Sequence, residues 1–365
     1  MDDSSTHYKQ GMKYWDEKKY TEAEEEFQRV RSLDSNYAPA YAGLALTTAQ
    51  AAKTAGNVET AEEGFEEALQ IVDTAQYLDS TIPEVFIAKA VIIAMKNEGK
   101  EATTWLPKVE EEYYKALKRD RKNAEAFYRR GCCYKNVYEF SKAADDFKKV
   151  IDLKKEFITQ ATKQWEIVQK IIRVVSGNEM SKKIALVEQV DRADIAALFV
   201  SELHIGKLID KKTTAHYDTT VKAPNDSLKI KTDSIVTMVE VTDIDGHWAK
   251  SFIMDIVERG ISGLEPYPDR TFRPDQTVNR GEYALMLKEV LIVITGNKGF
   301  AAKDTGTENR FPDVNPSHPA YNAICTTVGN GIMEVAKSGE FYPSKPLSGP
   351  DALLSIRNLK FLWLH

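Results

Sequence analysis

The chain has 365 residues, enough for two or three domains that each enclose a core. Apolar residues make up 42% and charged residues 28%, the balance of a soluble globular protein. A net charge of −6 with no cluster of Lys and Arg excludes nucleic acid as an expected partner, because neutralising phosphate takes grouped cations. No apolar run approaches the length needed to span a bilayer.

The chain opens on MDDSSTHYKQG, which lacks the basic-then-apolar pattern of a signal segment. An exported protein would be expected to carry one, so Met1 reads as a start placed on a mature sequence. Gly11, Tyr14, Ala23 and Phe27 then set out small residues where two helices of a hairpin touch and aromatics where they interlock. Tyr41, Leu44 and Ala45 begin the pattern again, and Ala61, Phe65 and Ala68 complete it. A third unit starts near Pro83 and runs through Phe86, Ala90, Tyr113 and Ala116. The fourth has Phe127, Gly131, Tyr134, Ala143 and Phe147 in register. The units begin near residues 4, 38, 83 and 124, with lengthened helices expected around 50–60 and 95–108. This pattern resembles the tetratricopeptide repeat and implies a solenoid of stacked helical hairpins, none of which can bury its apolar face alone. Residues 157–175, with Trp165, Val168, Ile171 and Ile172 at helical spacing, suit a capping helix that stops at Ser176-Gly177-Asn178.

The resemblance implies an inner groove on the first helix of each unit. Its expected lining includes Tyr8, Met12, Trp15, Leu46, Ile87, Val91, Tyr128 and Lys135, a mostly apolar set. Lys and Asn are not placed to clamp a peptide carboxylate. Either an apolar or helical partner segment occupies this groove, or part of the chain, such as the capping helix, fills it. Cys132 and Cys133 are adjacent and Cys325 stands alone. Three thiols without a spacing pattern are neither a disulfide framework nor a metal site, and read as buried packing residues.

Val190-Asp191-Arg192-Ala193-Asp194 and the apolar residues after it have the form of a helix start. Residues 205–240, rich in Thr, Lys and Asp, read as a long loop or linker. From 241 the parts come in a fixed order. Asp243 sits on an acidic turn before His247-Trp248-Ala249, and Phe252, Ile253, Ile256 and Val257 stripe a helix. Gly260 and Gly263 allow a tight turn, Phe272-Arg273-Pro274 makes another, and Asn279-Arg280-Gly281-Glu282 opens a second helix. The order repeats from Phe311-Pro312-Asp313 to Leu364, with Phe341-Tyr342-Pro343 at the second turn and Leu347-Ser348-Gly349-Pro350-Asp351 at the helix start. Here Gly349 stands where Arg280 stood. These segments resemble the modules of an S-layer homology domain, one complete, one degenerate, and one reduced to its second half at 190–199. Residues 176–190 are too short to supply the missing front half.

The expected fold is mostly α, a helical-repeat solenoid over 1–176 followed by a mainly helical S-layer-homology-like domain. The latter divides into a partial module and linker over 177–240, one module over 241–300 and a degenerate one over 301–365. The resemblance implies a cell-envelope protein that binds envelope polysaccharide. Anionic sugar suits a guanidinium fixed at a helix N-terminus, which Arg280 and Arg192 would supply, beside Trp248, Glu282 and Asp243. An Arg at such a start can equally tie modules together, and Asp243 can equally hold a turn. Six histidines are scattered without metal-ligand spacing, and there is no Gly-rich phosphate loop or nucleophile elbow. The expectation is a non-catalytic protein without cofactors, whose repeat groove binds a protein partner. The alternative is a protein–protein scaffold, or a subunit of a surface assembly, whose modules have lost sugar binding.

Overall fold

The computed structural model describes residues 3–175, 177–208, 241–301 and 309–364. Most of the polar stretch read as a linker, and the helix stop at Ser176, lie outside them. The described residues form helices without a strand, and their contacts divide into two units, Met1–Ile172 and Arg173–His365.

The first unit is a helical repeat. Its hairpins pair α1 (Ser4–Asp16) with α2 (Tyr20–Leu33), α3 (Ala38–Lys53) with α4 (Val58–Leu78), α5 (Pro83–Lys96) with α6 (Ala102–Arg119), and α7 (Ala124–Asn136) with α8 (Phe140–Leu153). Local chemistry sets the starts: Pro39 and Pro83 occupy first turns, where the missing N–H would be unpaired anyway. Asn57 and Asn123 accept from the backbone N–H three residues on, each at 2.8 Å. The spacing of small and aromatic residues has a direct cause. Phe27 lies between Gly11 and Gly43, and a Cβ at either glycine would come within 2.5 or 2.6 Å of its ring. Gly131 meets Phe147 in the same way at 2.9 Å. Both rings are fully buried. The middle helices are the longer ones: α4 has 21 residues and α6 has 18, against 14 in α2. Helix α9 (Ile158–Val174) follows. Its Gln164 accepts from Lys135 at 2.8 Å, and Phe157 before it stacks on Tyr128 at 5.0 Å.

The second unit contains α10 (Glu179–Ala185), α11 (Arg192–Ser201), α12 (Lys250–Glu258), α13 (Arg280–Thr295), a 3-10 turn (Lys298–Ala301), α14 (Tyr321–Gly329) and α15 (Gly349–Leu364). Residues 177–190 give the first module one short helix in place of a front half. They supply α10, which packs on both α11 and α15.

The second helix of each module begins beside the same small construction. Val190 N–H donates to Leu347 C=O at 2.9 Å, Leu347 N–H to Val278 C=O at 3.0 Å, and Val278 N–H to Val190 C=O at 2.9 Å. Three equivalent positions therefore close a ring of main-chain hydrogen bonds. All three side chains are buried. The next residue along caps its helix each time: Asp191 and Asn279 form full capping boxes with Asp194 and Glu282, and Ser348 bonds Asp351 at 2.7 Å.

Candidate functional site

In the second unit the helix-start arginines reach across module boundaries. Arg192, 7% exposed, donates to the carbonyls of Phe272 at 2.8 Å, Gly263 at 3.0 Å and Glu265 at 2.9 Å. Its guanidinium lies over the rings of Phe272 and Tyr267 at 4.6 and 5.1 Å. Arg280 repeats this one module later, donating to Phe341 C=O at 2.8 Å and Glu334 C=O at 2.7 Å, over the Phe341 ring at 4.6 Å. Burial holds both guanidinium pKa values below their usual level. A planar fork of donors can serve carbonyls of two turns at once, as a lysine would not. Each arginine thus fastens the turns of the following module to the helix that precedes it.

The turns are held from the other side by aspartate. Asp243 accepts from the N–H of Phe272 and of Arg273, both at 2.7 Å, and Asp313 accepts from Phe341 at 2.9 Å and Tyr342 at 2.6 Å. Arg273 and Tyr342 have φ of 55° and 56°, left-handed backbone that is costly for side-chain-bearing residues. The carboxylate bonds offset that cost. Glu282 is taken up by its own helix, accepting from Asn279 N–H at 2.9 Å.

Gly349 completes the logic. A Cβ there would lie 1.7 Å from the carbonyl oxygen of Ile184, and the Gly349 N–H donates to Val187 C=O at 2.9 Å. The first module has α10 in place of a front half, so an arginine at 349 would have no equivalent turns to fasten and no room to start. The substitution that breaks the sequence pattern is a packing requirement of the shortened first module.

Among the five residues singled out in these modules, Trp248 presents a large surface. The residue is 52% exposed, and its ring packs edge-on to Phe252 at 6.4 Å, beside His247 at 5.7 Å. Arg273 is also exposed, lying over the Tyr267 ring at 3.9 Å and bonded to Asp269 at 3.0 Å. Sequence reasoning used Arg273 only as part of a turn; its exposure beside Tyr267 is the signal that marks it as a surface cation. Arg280 and Trp248 belong to one module in the sequence, but Arg280 is directed to the next one, and the arginine that fastens the turns of the Trp248 module is Arg192.

In the repeat unit the expected groove set is divided. Trp15, Leu46 and Ile87 are buried at 8% exposure or less, Trp15 edge-on to Tyr20 at 5.1 Å, and Val91 packs against the same core. Tyr128 and Lys135 are engaged by Phe157 and Gln164. Tyr8 and Met12 line an open trough of about 1050 Å³. Its walls come from α1, the starts of α3, α5 and α7, and the turn before α9. Carboxylates dominate its polar lining, with Lys9 and Lys13 as the cations. Asp16 and Glu125 are both bonded by Arg129, and Glu17 pairs with Lys19. Glu84 is raised in pKa by desolvation, and so is Glu125 despite Arg129. Desolvation also raises the Tyr8 phenol well above its usual range. Burial pushes the Cys133 thiol up to about 12, the behaviour of a packing residue.

Among the described residues, no helix is long and apolar enough to cross a membrane. Two stretches, 242–284 and 310–352, match the S-layer homology domain. They begin within a few residues of Asp243 and Asp313 and include the second-helix starts at Arg280 and Gly349. Among curated proteins, the chain is 36% identical over 101 residues to a cellulosome-anchoring protein of Acetivibrio thermocellus, covering 28% of this chain and 20% of that protein. It is 34% identical over 110 residues to cell surface glycoprotein 1 of the same organism, covering 30% of this chain and 4% of the relative. The chain therefore spans a fifth or less of the length of these relatives, and the likeness is of the size of the module region alone.

Proposed function

We propose that the chain is a non-catalytic cell-envelope protein. Its modules attach to envelope polysaccharide, and its repeat unit, read as tetratricopeptide-like, holds a protein partner in the trough beside Tyr8 and Met12. The observation that carries this reading is the pair of S-layer homology matches folded as modules of one ring, supported by relatives named for anchoring and for the cell surface. Trp248 offers a flat exposed face to a sugar ring, and Arg273 is an exposed cation in the same module. Arg280, Arg192, Asp243 and Glu282 act by shaping and fixing the surface. Retention of the whole chain on purified envelope polysaccharide tests this. Trp248→Ala should reduce retention while leaving the unfolding temperature unchanged. Equal retention of wild type and Trp248→Ala would remove the exposed tryptophan from the site.

A second reading, a protein–protein scaffold whose modules no longer bind sugar, is favoured by one observation. Both helix-start guanidinium groups are occupied by main-chain carbonyls. No retention on polysaccharide, together with a protein that co-purifies through the trough, would select it.

A further inference from the structure

The trough in the repeat unit has a charge pattern that its apolar residues do not explain. Arg129 and Lys19 account for Asp16, Glu125 and Glu17. Asp34, Asp79, Glu84 and Glu156 remain, facing only Lys9 and Lys13. Asp34 and Asp79 recur by design of the repeat: each follows the second helix of its hairpin and accepts from the N–H two residues on, at 2.9 and 2.7 Å. Glu84 sits in the first turn of α5, where its carboxylate is desolvated and bonded to its own backbone N–H, with no ion pair among the described residues. The Tyr8 hydroxyl likewise lacks a hydrogen-bond partner among them, while its ring packs on Phe27 and Tyr37 at 5.8 and 6.2 Å. An acidic wall without enough cations to balance it, an aromatic floor and an unbonded phenol thus share one concavity of about 1050 Å³.

We propose that this trough docks a basic segment of a partner protein. Its Lys or Arg heads meet Asp34, Asp79 and Glu84, and its aliphatic stems or apolar neighbours lie on Tyr8, Tyr37 and Met12. The proposal rests on the reading of the repeat unit as the partner-binding half and adds the chemistry of the partner. A purely apolar helix fits less well, because it would bury the Glu84 carboxylate without a counter-charge, a strongly unfavourable arrangement. An acidic segment would be repelled. A Lys or Arg stem has the matching form, a charged head on an apolar chain that lies along aromatic surface. The desolvation that raises Glu84 also strengthens its attraction for a cation brought beside it. The same charge turns away anionic polysaccharide, so the two halves of the chain would not compete for one ligand.

Three labelled peptides of equal length test this by fluorescence anisotropy on the full chain: alternating Lys and Leu, alternating Ser and Leu, and alternating Glu and Leu. The Lys peptide should bind, and added salt should weaken it. Glu84→Gln with Asp79→Asn should loosen it about tenfold, the loss of roughly 1.4 kcal/mol from two partly solvated pairs. Glu24→Gln with Glu25→Gln, on the exposed face of α2, should leave it unchanged. Equal affinity for the Ser and Lys peptides, with both lost in Met12→Glu, overturns the charge assignment and leaves the trough as a docking site. Lys-peptide binding that survives the Glu84 and Asp79 changes but falls with the α2 pair overturns the location. Failure of all three peptides to bind overturns the proposal, and the partner-binding reading falls with it only if no protein co-purifies through the trough.

Discussion

Removing Arg192 should unfasten the module ring rather than a ligand. Its guanidinium makes three hydrogen bonds to carbonyls at 2.8–3.0 Å and covers two aromatic rings. Bonds from a charged donor are each worth about 1.5–3 kcal/mol net, and a partly buried cation–π contact about 1 kcal/mol. Part of this returns when water reaches the freed carbonyls and a desolvated charge is no longer buried. Arg192→Ala should therefore cost about 3–5 kcal/mol, a fall of roughly 10 °C in the transition of a unit this size. Differential scanning calorimetry of the full chain measures it, with the repeat unit's transition as internal reference and the exposed Arg31→Ala as control. Arg192→Lys should recover only a minor part, because an ammonium cannot serve three carbonyls in one plane. A loss below about 0.5 kcal/mol, the level of an ordinary surface change, would refute the fastening role.

Arg280→Ala should follow with a smaller loss of about 2–4 kcal/mol, since two carbonyl bonds replace three; an unchanged melting curve would return Arg280 to the list of free ligand-binding groups. Gly349→Ala should destabilise the second unit by more than about 2 kcal/mol, because the Ile184 carbonyl stands 1.7 Å from the added carbon and must move; amide exchange at Gly349 and Val190 would report the opening. Gly11→Ala should lower the stability of the repeat unit by about 1–3 kcal/mol through its contact with the Phe27 ring, read from helical circular dichroism during thermal unfolding. Asp194 provides a pH test. Desolvation, then the Asp191 charge, raises its carboxyl from 3.8 to about 6, so the folded state holds the proton more tightly than the unfolded one. Its contribution is most favourable below pH 4 and is lost as pH rises through 6, by at most about 3 kcal/mol. The stability difference between Asp194→Asn and wild type should therefore grow from pH 4 to pH 7, and a flat difference would refute the shift.

Much of this architecture was legible in the sequence because it rests on local spacing. Gly11 and Phe27, or Gly131 and Phe147, repeat at a helical-hairpin interval since each ring needs a missing Cβ opposite it. The helices of the four hairpins accordingly start at Ser4, Ala38, Pro83 and Ala124. The module order was legible for the same reason, as capping residues and turn glycines obey local rules. The direction of Arg192 and Arg280 was not. A guanidinium at a helix start looks the same whether it meets a ligand or the turn of the next module, and its targets lie more than 50 residues away. Gly349 was legible as a departure but not as a necessity, because its reason is the backbone of Ile184 on a helix formed far earlier in the chain. The groove was partly misread at its middle: Leu46 and Ile87 occupy inner-face positions, but the stacking of neighbouring hairpins buries them.

The ring of bonds among Val190, Val278 and Leu347 has a consequence for how the chain comes into being. Each hairpin of the repeat unit is made of residues close in sequence and can form as soon as it emerges from the ribosome. The module ring has no such freedom, because its closing bonds join Val190 and Val278 to Leu347, which is made long after them. Until then Val190 and Val278 are left with unpaired main-chain groups, and α10 lacks one of the two helices it packs on. The second unit should therefore mature more slowly than the repeat unit, and a chain stopped short of Leu347 would carry a finished repeat unit tethered to an unclosed partner.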